Sequence, residues 1–200
     1  MNKTLKILSL ITVLSITLLS CSKETVAVKQ GETNMFFKDK KAVIVYFSVS
    51  NNTKKFAETI QKLTGGDLIR LEPVVAYNSN PNEVKQLIAD AKKETESDAR
   101  PEFKPINFNL EDYDIIFVGY PVWWYTLPMI FYTFFDTYDF SGKTIIPFNT
   151  HEGSGEGGTY STIKKWEPNA TVLEGLPIRG GNLKKDQTET IKKWLNKINF

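Results

Sequence analysis

VIVYFSVSNNT, residues 43–53, is an unbroken apolar run of strand length that stops in a cluster of hydroxyl and amide side chains. Lys41 to Phe47 suits a strand covered on both faces, as in a parallel sheet. Phe56, Ala57, Ile60 and Leu63 then recur at helical spacing, and Gly65-Gly66 closes that helix. Ser48, Ser50, Asn51, Asn52 and Thr53 therefore stand between a strand end and a helix start. Backbone N–H groups left over from a first helical turn, with short polar side chains around them, favour an anion at such a place. A plain helix cap would account for one or two of these residues, not for the whole cluster. No Gly-Lys-Ser/Thr is present and the donors stay neutral until Lys54, so the loop is not of the nucleoside-triphosphate type.

Working downstream, the period keeps switching between strand and helix. Asp67–Leu71 is a short strand stopped by Pro73, and Pro81–Glu96 is a helix with Val84, Leu87, Ile88 and Ala91 on one face. Ile115–Gly119 is wholly apolar and central in character, Pro128–Phe135 an aromatic-rich helix, and Thr144–Asn149 a fourth strand. Thr159–Trp166 is a helix, Thr171–Leu173 a weak fifth strand, and Lys184–Ile198 a closing helix with Ile191, Trp194, Leu195 and Ile198 on one side. Five strands alternating with helices predict an α/β three-layer sandwich, a five-stranded parallel sheet in the order 2-1-3-4-5. Ligands in such sheets sit beyond the strand C-termini, at the switch between strands one and three.

Working upstream, Lys3 and Lys6 precede an aliphatic run, Ile7 to Leu19, that is too short to cross a bilayer comfortably, which takes about 20 residues. Ser20-Cys21 follows, and residues 1–20 read as a bacterial lipoprotein signal peptide with Cys21 as the lipidated first residue of the mature chain. The competing reading is an anchor that is never cleaved. Residues 21–38 are polar and aperiodic, a flexible tether to a domain at 39–200. Cys21 is the sole cysteine, so the chain forms no internal disulfide. Without Lys3 and Lys6, the 25 basic residues become 23 against 23 acidic ones. That balance makes no electrostatic case for nucleic acid.

Two further loops are unusual. Gly119-Tyr120-Pro121-Val122-Trp123-Trp124-Tyr125 ends the third strand, and Thr150-His151-Glu152-Gly153-Ser154-Gly155 ends the fourth. With the hydroxyl-rich first loop they resemble the flavodoxin family, in its larger flavodoxin-like branch, over about Ala42 to Leu195. The family commonly has glycine where Asn51 stands; asparagine tolerates positive φ better than most residues. The resemblance implies non-covalent FMN and redox chemistry. It places the FMN phosphate on Ser48, Ser50, Asn51, Asn52 and Thr53. The ring falls to Pro121, Val122, Trp123, Trp124 and Tyr125 on one side and Thr150, His151, Glu152, Gly153, Ser154 and Gly155 on the other. An isoalloxazine wants flat aromatic faces and N–H donors along its pyrimidine edge, and these loops offer one each. His151 is expected to donate toward that edge, and Tyr77 to reach its outer rim.

The expected function is an FMN-dependent oxidoreductase or electron-transfer protein, anchored at the bacterial cell envelope and exchanging electrons with a quinone-like molecule or a protein. A pure electron carrier normally displays a strongly acidic face to its partners, and the formally neutral mature chain argues against that reading. A flavin-free binding lipoprotein is the third reading.

Overall fold

Strand and helix alternate as β1 (Ala42–Tyr46), α1 (Asn52–Thr64), β2 (Asp67–Arg70), α2 (Val84–Glu96), β3 (Ile115–Pro121) and α3 (Ile130–Thr137). They continue as β4 (Thr144–His151), α4 (Thr159–Trp166), β5 (Thr171–Val172), β6 (Leu176–Arg179) and α5 (Thr188–Lys197). The computed structural model describes residues 39–200, so the leader, Cys21 and the tether lie outside the described residues. The strands are parallel in the order β2-β1-β3-β4-β5, as predicted.

Residues alternate between the two faces of the sheet with the strand period of two. Val43, Val45, Ile116 and Val118 pack in one core with Phe131 and Phe134 of α3 and Ile163 of α4. Ile44, Tyr46, Phe117, Ile146 and Phe148 pack in the other with Phe56 and Ile60 of α1 and Ile191, Trp194 and Leu195 of α5. Each fully buried aliphatic or phenyl side chain contributes about 1.5–3 kcal/mol. Two faces filled in this way give the strand C-termini a rigid base.

Two elements depart from the sequence pattern. Helix α2 has the apolar face the sequence predicts, yet only its Ala91 is buried, and Val84 and Ile88 are each 48% exposed. Its place over the sheet is taken: Phe103, Ile106 and Phe108 pack there from the extended segment after α2. The second departure is β6. It pairs with the end of β4, while β5 pairs with its start, so two short strands share one edge in tandem. The cause is Pro147, midway along β4. Its carbonyl faces Gly175, where a β-carbon would lie 2.5 Å from that oxygen, and its ring nitrogen on the same edge carries no proton. The ladder breaks there and resumes at Leu176, opposite Phe148.

Candidate functional site

β1 delivers Phe47 and Ser48, both buried, to the C-terminal edge of the sheet. Asn51 then turns the chain into α1 from the left-handed region, with φ 63° and ψ 6°. Asparagine reaches this conformation at modest cost. Asn51 makes no side-chain cap, so neither its side chain nor an acidic first turn occupies the head of the helix. Ser48 is 2% exposed, and its Oγ is the one buried side-chain polar atom among the described residues without a hydrogen-bond partner. A buried hydroxyl left unpaired costs about 1–3 kcal/mol, and an oxyanion in the loop would satisfy it.

The three loops meet here. Thr53, at the start of α1, bonds through Oγ1 to Thr150 Oγ1 at 2.9 Å, and both side chains are buried. The N–H of Val122, just after β3, donates to the carbonyl of Thr150 at 2.8 Å. Thr150 at the end of β4 therefore ties the first and second loops together, a role that its place in the sequence hides.

After Pro121, which pairs with Thr150 in the sheet, the second loop is a tight turn. Trp123 and Thr126 exchange both backbone hydrogen bonds, at 3.0 and 2.9 Å. Trp124 and Tyr125 between them hold φ values of 49° and 60°. Two successive left-handed residues make a type I′ turn, which is normally built from asparagine and glycine. The turn separates the aromatic side chains that the sequence placed together. Trp123 packs edge-on against Phe47 and Tyr77, with ring centroids 5.3 and 5.1 Å away. Trp124 turns to α2, where its indole N–H donates to the Ile88 carbonyl at 3.0 Å and Lys92 lies over its ring. Tyr125 is 73% exposed and makes no side-chain hydrogen bond or ring contact among the described residues, so its ring is the free aromatic face of the loop. Tyr77 points inward, its hydroxyl donating to Glu94 at 2.7 Å.

The glycine-rich third loop is pinned rather than loose. Asn149 Nδ2 donates to the Gly155 carbonyl at 3.0 Å, and Tyr160 donates to Asn149 Oδ1 at 2.6 Å. The N–H of Gly157 donates to the Ser154 carbonyl at 3.2 Å. Beneath them Tyr120 donates to Thr159, and Thr159 to the Glu156 carbonyl. The N–H of Gly153 donates to His151 Nδ1 at 3.1 Å, which leaves the imidazole proton on Nε2. Burial lowers the pKa of His151, and Arg179 lowers it further against the opposing pull of Glu152. The ring is thus a neutral donor near pH 7.

β6 adds residues that the sequence reading missed. Arg179 lies opposite His151 in the sheet and within 3.8 Å of Glu152. At Gly180 a β-carbon would strike both Glu152 Oε1 and Asn52 Nδ2, at 2.5 and 2.7 Å. The third loop and the head of α1 converge on that missing side chain. The signal in the sequence was faint: an Arg-Gly-Gly that begins on the last residue of a four-residue strand. Among the described residues no acidic, histidine or cysteine group is arranged to hold a metal ion, and no helix is long and apolar enough to cross a membrane.

A parallel sheet with an anion loop after its first strand and aromatic and glycine-rich loops after its third and fourth defines a flavodoxin-like α/β protein. The family model for flavodoxin matches residues 41–198, and the chain belongs to that family. A candidate flavoprotein from Bacteroides eggerthii is 30% identical, with a TM-score of 0.68 over 81% of this chain and 99% of its own. Another, from Bacteroides uniformis, is 26% identical, with a TM-score of 0.69 over 78% and 98%. A Lactobacillus acidophilus flavoprotein solved in complex with FMN shares the fold at 23% identity, with a TM-score of 0.55 over 76% and 97%. No curated protein matches the chain.

Proposed function

We propose that this protein is an FMN-binding redox flavoprotein that takes reducing equivalents from a donor and passes them to a quinone-like molecule or a protein. The observation that carries this reading is the buried, unpartnered Ser48 hydroxyl at the uncapped head of α1. Once bound, FMN supplies the electron-transfer chemistry, and the chain supplies binding, orientation and electrostatics. Ser48, Ser50, Asn51, Asn52 and Thr53 hold the phosphate. Tyr125 offers the open aromatic face, and Trp123 backs the second loop from within. His151 Nε2–H is the donor for the pyrimidine edge, and the Tyr120–Thr159–Glu156 chain keeps the glycine-rich loop in place against it.

Titration of the purified protein with FMN tests this directly. The expected result is a yellow protein with a flavin spectrum and quenched indole fluorescence; a protein that stays colourless and takes up no added FMN refutes it. The even balance of 23 basic and 23 acidic residues outside the leader supports an oxidoreductase over a carrier that docks through an acidic face. Steady nicotinamide oxidation with a quinone acceptor would agree, and reduction by single-electron protein partners alone would favour the carrier.

The same proposal places the protein in the bacterial cell envelope, held through lipid on Cys21. Acyl chains contribute about 0.8 kcal/mol per buried CH2, and two suffice for stable anchoring. Cys21→Ala is expected to abolish lipid labelling and release the protein from membranes; labelling that persists refutes the anchor.

A further inference from the structure

Arg70 ends β2, beside the anion loop, and its Nη2–H donates to the Ser48 carbonyl at 2.8 Å. The chain has three arginines. Arg100 pairs with Asp98 and Asp136, and Arg179 with Glu152. Arg70 differs: it is partly buried, and among the described residues no carboxylate lies within ion-pair distance of it. It lines a cleft of about 580 Å³ together with Val49, Ser50 and Asn51 of the anion loop. Lys54, the first cation after the loop, is held by Glu58.

A guanidinium drawn partly out of water without a counter-ion is costly, and an anion nearby offsets that cost. The hydrogen bond also has a geometric effect. The peptide unit is planar and trans, so a Ser48 carbonyl held toward Arg70 keeps the Val49 N–H pointing the opposite way. Arg70 therefore sets the orientation of the first peptide in the loop while leaving its remaining N–H groups unsatisfied by any carboxylate.

We propose that Arg70 is a positioning residue of the phosphate site. It fixes the Ser48–Val49 peptide, and its uncompensated charge favours a phosphate dianion in the loop. The inference rests on the FMN reading and adds a residue outside the three loops to it.

The test compares FMN with riboflavin, which lacks the phosphate, on the wild-type chain, Arg70→Gln and Arg70→Lys, with thermal melting of each to report folding. Wild type is expected to prefer FMN. Arg70→Gln is expected to weaken FMN about 10- to 100-fold, the range of one charge-assisted hydrogen bond, and to leave riboflavin within about threefold. Arg70→Lys, which keeps the charge without the forked donor, recovers part of the preference. On the wild-type chain alone, added salt is expected to weaken FMN more than riboflavin. Equal losses of both ligands in Arg70→Gln, or an unchanged FMN preference, overturn the role of Arg70 and leave the FMN reading standing. A wild-type chain that binds neither ligand overturns both.

Discussion

Asn51 and Ser48 carry opposite kinds of stress, and single substitutions separate them. Asn51 sits at φ 63°, where an alanine is costly, so Asn51→Ala is expected to lower stability by about 1 kcal/mol in denaturant unfolding and to weaken FMN. Ser48→Ala removes an unsatisfied hydroxyl, so its stability is expected to hold or rise slightly while FMN affinity falls about tenfold. A Ser48→Ala protein that loses stability but not affinity would mean that the hydroxyl serves the fold rather than the ligand. His151 adds a pH dependence. Its folded pKa is depressed, so its contribution to stability is present above about pH 6.5 and is lost as pH falls through the folded value. The positive φ at Asn51 was legible because the resemblance puts a glycine at that place, and asparagine is among the residues that tolerate it. The fate of Trp123 and Trp124 was not, since a turn residue's side-chain direction depends on backbone angles that composition does not encode. Arg70 was hidden for another reason: its partner is a backbone carbonyl.

Among the elements, the Trp124–Tyr125 turn is the one built against its own propensity. Non-glycine residues in the left-handed region cost about 1–2 kcal/mol each, and they cluster at functional sites. Replacing the pair by Asn-Gly is expected to stabilise the protein by about 1–2 kcal/mol and to weaken FMN, read by melting and by titration. An Asn-Gly variant with unchanged FMN affinity would relieve Tyr125 of its role at the ring. Trp124→Phe removes the bond to the Ile88 carbonyl, and faster amide exchange across α2 is the expected consequence. The pattern of α2 was read correctly as a helix, but its burial was not. Amphipathic spacing says which face could be covered, and here Phe103, Ile106 and Phe108 cover the sheet first. β6 escaped notice because four residues carry little periodicity, although Pro147 in a central strand was the available warning.

For the molecule as a whole, the marked departure among the carboxyl groups of the described residues lies away from the site. Glu167, at the end of α4, is pushed up to about 7, first by burial and then by Asp139 and Asp136. An acid whose folded pKa is raised adds stability that is complete below its unfolded pKa, near 4.5, and is lost as pH rises through about 7. Glu167→Gln is expected to flatten that slope and to raise stability at pH 8 by about 1–2 kcal/mol, as thermal melts at pH 5 and 8 would show. Identical pH slopes in the two proteins would remove Glu167 as the cause. At this scale the sequence was most informative: alternating elements dictated the parallel sheet and its order, and that order brought the three loops together.

The interruption at Pro147 has a consequence for how the protein behaves in company. A sheet's open border invites strands from other molecules, and long flat borders are where aggregation starts. Here that border consists of two fragments, Thr171–Val172 and Leu176–Arg179, offset by a proline and ending in an arginine. Neither fragment is long enough to template a neighbour. The residue that splits the fifth strand thereby also guards this edge of the sheet against pairing with another molecule.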